Sequence, residues 1–202
     1  MERVEANRRT AQTLPPGGEL GEKRYAEQTR HLRQTAPAYK SYDEAAVALQ
    51  KGDSNKALNL VDKALAIEPK EALFFGLKGD IFFAKKNFNK ALSSYDQAIQ
   101  RNGNFFHFYA QRGLTREQLG DIQGARQDLT RSAGLLPTAT AYKKLGDFSL
   151  ASGQRDEAKD YFQAAASSES EVGKEALASF LRLDLPENAG KYIRTRPEQS
   201  KD

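Results

Sequence analysis

Apolar residues recur at intervals of three and four along most of this chain, in four stretches that read almost alike. They are Ala57, Leu58, Val61, Ala64 and Leu65; Ala91, Leu92, Tyr95, Ala98 and Ile99; Ala125, Leu129, Ser132 and Leu135; and Ala158, Tyr161, Phe162 and Ala165. That spacing is the buried stripe of an amphipathic helix. Ahead of each stripe stands a pair that ends one helix and opens the next: Gly52-Asp53, Lys86-Asn87, Gly120-Asp121 and Gly153-Gln154. Behind each lies a second breaker, at Pro69, Gly103, Pro137 or Ser170. The opening pairs follow one another after 34, 34 and 33 residues, and a period of that length predicts a solenoid of helical hairpins. Small residues such as Ala57, Ala91, Ala125 and Ala158 mark places where two helices cross closely.

A repeat laid out in this way resembles the tetratricopeptide repeat. The resemblance implies an all-α, right-handed solenoid of about four antiparallel helix pairs, over 38–71, 72–105, 106–138 and 139–172. Before them, Leu14-Pro15-Pro16-Gly17-Gly18 interrupts any helix, so residues 1–21 read as linker or disorder. Residues 22–37 read as a separate N-terminal helix ended by Ala36-Pro37, with Tyr25, Gln28 and Leu32 on one narrow stripe. After the repeats, Leu177, Phe180 and Leu181 predict a capping helix over 173–186, and 187–202 reads as a loose polar tail.

Composition narrows the function. With 39% apolar and 29% charged residues, the chain is an ordinary soluble helical protein. Its net charge of +4 is the small difference between 31 basic and 27 acidic residues, interspersed along the helices as on a solvated face. Lys143-Lys144 and Arg8-Arg9 are too short to be a nucleic-acid footprint, so no nucleic-acid partner is expected. No stretch approaches the roughly 20 apolar residues that span a bilayer, and Met-Glu-Arg-Val-Glu lacks the order of a secretory signal. The chain has no cysteine, which excludes disulfides, thiolate metal sites and thiol nucleophiles. His31 and His107 are its only histidines, without partners at metal-site spacing, and no phosphate loop or Gly-x-Ser-x-Gly elbow is present. No catalytic residue, metal site or cofactor is therefore expected in this chain. The aromatic runs Phe105-Phe106-His107-Phe108-Tyr109 and Phe74, Phe75, Phe82, Phe83 and Phe88 are expected mostly in the core, filling junctions between repeats.

In tetratricopeptide proteins the first helix of each repeat lines the concave face, through its second, fifth, sixth, ninth, twelfth and thirteenth residues. Carried onto this sequence, those places give a candidate binding groove of Tyr39, Tyr42, Leu73, Leu77, Asp80, Phe83, His107, Gln111 and Leu114. Its N-terminal half is apolar and aromatic and its C-terminal half polar. Family members that capture the C-terminal carboxylate of chaperones use Lys and Asn at the fifth and ninth places; here these are Tyr42 and Ala46, with Leu77 at the sixth place of the next repeat. Chaperone-tail capture is not expected. An extended or helical peptide with apolar anchors, or permanent packing against another domain, fits better. Leu77→Glu is expected to abolish binding without unfolding. In helix 38–51, Ser41 and Glu44 sit at core places while Tyr39, Tyr42, Ala46 and Leu49 form its best apolar stripe. That stripe needs a cover, from segment 22–34, from a missing domain or from a partner.

Several strings carry a narrower resemblance: Gly18-Glu19-Leu20-Gly21-Glu22-Lys23-Arg24-Tyr25, Asn104-Phe105-Phe106 with Gln111-Arg112-Gly113-Leu114, Leu135-Leu136-Pro137-Thr138-Ala139, and Leu185-Pro186-Glu187-Asn188 with Lys191-Tyr192. Together they resemble the C-terminal region of bacterial zinc metallopeptidases of the CAAX-endopeptidase type. That resemblance implies a fragment following a His-Glu-x-x-His catalytic domain, in the periplasm of a Gram-negative bacterium, with zinc only in the missing domain. Its partners would be its own protease domain or outer-membrane assembly proteins. The alternatives are a free-standing adaptor, expected in the cytoplasm, and a self-assembling scaffold whose oligomeric state the sequence leaves open.

Overall fold

The computed structural model describes residues 18–184, with side chains from Lys23 onward. The described residues form nine helices: α1 (Gly18–Gln50), α2 (Ser54–Ile67), α3 (Ala72–Ala84), α4 (Phe88–Arg101), α5 (Phe106–Gln118), α6 (Ile122–Leu135), α7 (Ala139–Ala151), α8 (Arg155–Ala166) and α9 (Glu171–Asp184). Four hairpins, α1/α2, α3/α4, α5/α6 and α7/α8, stack in chain order, and α9 closes the stack against α7 and α8. The second helix of each hairpin packs on the first helix of the next, and α1 and α3, α3 and α5, and α7 and α9 also touch.

The turns inside the hairpins follow from the paired breakers. Gly52, Lys86, Gly120 and Gly153 adopt positive φ of 81°, 57°, 82° and 77°. This left-handed residue lets the next N–H reach back five residues, as from Asp53 to the Ala48 carbonyl at 2.9 Å and from Asn87 to that of Phe82 at 2.9 Å. The residue that follows then caps the new helix: Asp53 accepts from the Lys56 N–H, Asn87 from that of Lys90 and Asp121 from that of Gly124. Gln154 makes no such side-chain bond. Lys86 is the strained member of the set. Lys86→Gly is expected to raise stability by about 0.5–1 kcal/mol, because the left-handed penalty of roughly 1–2 kcal/mol exceeds the entropy glycine adds to the unfolded chain. A rise in Tm relative to wild type checks this.

Within a hairpin the helices meet where a small residue on the first faces a large one on the second. Ala45, Gly79, Gly113 and Gly146 stand at equivalent places, as do Val61, Tyr95, Leu129 and Phe162, which are all fully buried. A Cβ at Gly79 would lie 2.5 Å from the Tyr95 ring, and one at Gly146 2.6 Å from that of Phe162. Opposite the smaller Leu129 the distance at Gly113 relaxes to 3.1 Å, and opposite Val61 the chain carries Ala45. The size of the knob sets the size of the hole.

Three expectations need correction. Pro37 does not end a helix: α1 runs unbroken through it for 33 residues, so segments 22–37 and 38–50 are one element, about 50 Å long. Proline removes the N–H that would meet the Arg33 carbonyl, but both residues are exposed, so water can serve that carbonyl. Thr35 and Ala38, on either side of the proline, are buried, and their packing helps the helix continue across the gap. Residues 18–21 are helical rather than linker, and the capping helix, described over Glu171–Asp184, starts two residues earlier than expected. Residues 1–17 and the tail from 185 lie outside the described residues. Most of the aromatic run is also not core: Phe74 and Phe108 are fully buried, whereas Phe75, Phe82, Phe83, Phe88, Phe105, Phe106 and Tyr109 are half-buried. A wall two helices thick leaves ring edges at its surface, and long cations cover some of them, as Arg101 does over Phe75 at 3.9 Å and Lys90 over Phe82 at 5.5 Å.

Candidate functional site

Side-chain contacts from one first helix to the next trace a continuous inner face. Tyr39 of α1 meets the Phe74 ring of α3 edge-on at 5.3 Å, and Asp80 of α3 lies 3.5 Å from His107 of α5. Glu117 of α5 accepts from Lys144 of α7 at 2.8 Å, and Lys143 lies 3.8 Å from Glu175 of the cap. Eight of the nine groove residues read from the sequence are half-buried or exposed. Leu77 is the exception: only 7% exposed, it belongs to the core with Phe74, Ile81, Val61 and Ala45. Leu77→Glu would bury a charge and unfold the second hairpin, so it cannot serve as a clean test of binding.

The stripe on α1 has its cover. Tyr42, Ala46 and Leu49 pack on the core that includes Phe74, Leu77 and Ile81, so α3 rather than segment 22–34 shields them. A helix continuous with α1 cannot fold back over its own face. Tyr39 stays 39% exposed at the rim. Its hydroxyl donates to Glu71 Oε2 at 2.6 Å, while Glu71 Oε1 accepts from the Leu73 N–H at 3.2 Å, so one carboxylate both caps α3 and positions the tyrosine.

Midway along the face sits a polar group in apolar surroundings. Asp80 shares its side of α3 with Leu77 and Phe83, one turn away in each direction. Its Oδ1 accepts a 2.7 Å bond from the Tyr95 hydroxyl of α4, and its Oδ2 makes only the long contact with His107 Nε2. Burial, and then the facing carboxylate, push the Tyr95 phenol far above its ordinary pKa, so it remains a neutral donor. The sequence places Tyr95 in the core without revealing this role; the available signal is that a tyrosine among Val61, Leu129 and Phe162 must find a partner for its hydroxyl.

A second polar group, also unforeseen, lies inside the third hairpin. Asp128 on α6 is buried and takes a bidentate pair from Arg112 at 2.8 and 2.6 Å, with Arg116 at 3.0 Å. Arg112 also reaches Asp96 of the preceding hairpin at 2.7 Å. Burial pulls the Arg112 pKa down, but the bonds to Asp128 and Asp96 more than offset this and hold it above the ordinary value. Among the described residues no cluster of three or more His, Asp or Glu could hold a metal ion. No helix among them is long and apolar enough to cross a membrane.

Residues 42–105 match the family model described as tetratricopeptide repeat. Hsc70-interacting protein 1 of Drosophila melanogaster is 31% identical over 65% of this chain and 33% of its own length. The chain thus spans about a third of the curated relatives it matches. Among solved structures, that of MamA superposes with a TM-score of 0.60 at 20% identity, over 75% of this chain and 86% of that one. The first TPR of Spaghetti (RPAP3), bound to the HSP90 peptide SRMEEVD, gives 0.57 at 22% identity, over 59% and 95%. Residues 42–105 are therefore matched to the tetratricopeptide repeat in sequence, and the stack of hairpins in which they sit has the tetratricopeptide solenoid fold.

Proposed function

We propose that this chain is a non-catalytic protein-recognition module whose inner face takes a peptide segment of a partner through apolar anchors. The observation that carries this reading is that Tyr39, Leu73, Phe83 and Leu114, at places that would line the concave face, are apolar and partly open. Such surfaces gain affinity from a few buried anchors, each removing apolar area from water at about 25 cal/mol per Å².

The free-standing adaptor is the better-supported form. Two sequence relatives that cover 65% of the chain are named for interaction with Hsc70, and a structural neighbour holds an HSP90 peptide, whereas association with a zinc metallopeptidase rests on the short strings alone. The ligand need not be the same. Tyr42, Ala46 and Leu77 occupy the places at which chaperone-binding relatives put basic and amide groups. Both inner-face lysines are engaged, Lys144 by Glu117 and Lys143 by Asp147, and Asp80 would face an acidic tail with like charge.

Panning a displayed library of random dodecapeptides on the immobilised protein tests the reading. Enriched peptides are expected to share aromatic or aliphatic residues and to bind Tyr39→Ala and Phe83→Ala about tenfold more weakly, with helix content unchanged. The peptide SRMEEVD is expected not to compete. Competition that depends on its free carboxylate would replace this reading with chaperone-tail capture.

A further inference from the structure

We propose that Asp80 sets the specificity of the inner face, selecting a partner segment with a lysine or arginine between apolar residues; this rests on the peptide-binding reading above. Charge distribution is the first argument. The chain as a whole carries +4, yet its inner-face places hold Asp43, Asp80, Glu117 and Asp147 against Lys143 and Lys144, two more acids than bases. Those lysines are held by Glu117, Asp147 and Glu175. Among the described residues, Asp80 and Asp43 are left with no lysine or arginine partner.

Local geometry is the second argument, and it singles out Asp80. A carboxylate offers about four acceptor positions. Asp80 commits one to Tyr95 at 2.7 Å and has only the weak 3.5 Å contact with His107 at the other oxygen. Its side chain is 27% exposed, so Oδ2 is reachable from the groove while the group has lost much of its water. Tyr95 is fully buried and fixes the carboxylate's orientation. A charge-assisted bond to an incoming ammonium or guanidinium restores what burial removed. Phe83, one turn along α3, and Leu73, near its start, place apolar contacts on either side, which fixes the order of the ligand as apolar, cationic, apolar. An acidic or purely apolar segment would leave Asp80 repelled or unpaired, and that penalty is what confers selectivity.

The experiment pans random dodecapeptides on wild type and on Asp80→Asn in parallel. Asparagine still offers Tyr95 an acceptor, so the fold is expected to hold, with circular dichroism and Tm as the check. Wild type is expected to enrich Lys or Arg between apolar residues, and Asp80→Asn to enrich the same apolar residues without the base. For one resynthesised wild-type peptide, affinity is expected to fall on the order of tenfold in Asp80→Asn and by a similar factor on changing its Lys or Arg to Gln, with no added loss when the two changes are combined. Apolar enrichment with no basic preference, or losses that simply multiply, would overturn the role of Asp80 while leaving the groove. No enrichment on either protein would overturn both. Competition by a synthetic peptide of residues 189–202, which contains Lys191, Tyr192, Ile193, Arg194 and Arg196, would assign the groove to the chain's own tail and overturn an external partner.

Discussion

Asp128→Ala is expected to cost about 3–5 kcal/mol of folding stability, because it leaves two arginines in the third hairpin without the carboxylate that holds them. The aspartate side chain is 4% exposed and those of Arg112 and Arg116 are 16% and 24% exposed, so water makes up little of the lost pairing. Removing one partner of a buried ion group costs far more than never having had the group, since the remaining charges stay desolvated. The fourth hairpin supplies the control. At the three equivalent places it carries the uncharged Leu145, Ser149 and Tyr161, of which Ser149 donates to Glu157 at 2.9 Å, the partner of Arg126. Transplanting them as Arg112→Leu, Arg116→Ser and Asp128→Tyr together is expected to recover most of the loss. Urea denaturation followed by circular dichroism reads both variants. A triple variant as unstable as Asp128→Ala would show that the link from Arg112 to Asp96 of the second hairpin, 2.7 Å, carries much of the stability.

That network also shows where sequence reading stopped. The hairpins were legible because the features that build them are local: a stripe every three or four residues, a left-handed residue at Gly52, Gly120 and Gly153, and a capping aspartate after the first two of these. Lys86 was legible only by its place in the period, since nothing in its own chemistry favours positive φ. Side-chain contacts between helices were not legible. Arg112 and Arg116 read as surface charges on α5, and only the pairing of α5 with α6 turns them toward Asp128. Pro37 misled for a related reason. Its cost is local and visible, whereas the packing of Thr35 and Ala38 that offsets it depends on the folded hairpin.

The groove was partly legible by the same logic. Positional correspondence picked nine residues on the first helices, and eight of them keep some exposure in the folded stack. It failed at Leu77, which is 7% exposed and packs in the core with Ala45, Phe74 and Ile81. Correspondence also says nothing of the second helices, so the Tyr95 bond that orients Asp80 escaped it.

Gly79→Ala is the substitution that most directly joins this packing to the site. Alanine favours helix over glycine by about 1 kcal/mol, so propensity alone predicts stabilisation. The new methyl would stand 2.5–2.7 Å from three atoms of the Tyr95 ring, which is fully buried and held at its far end by Asp80. Overpacking of that kind costs roughly 1–3 kcal/mol, so the clash is expected to win and Tm to fall. If the ring moves to relieve it, the 2.7 Å bond to Asp80 breaks and the groove carboxylate loses its support. The third hairpin shows a milder pair: a Cβ on Gly113 would stand 3.1 Å from Leu129, tight but short of the clash at Gly79. In a Tyr95→Leu background, Gly79→Ala is therefore expected to cost less than in wild type, a positive coupling that a double-mutant cycle in urea measures. Equal cost in both backgrounds would mean that the methyl collides with something other than the ring, and that glycine at this place answers to the backbone rather than to Tyr95.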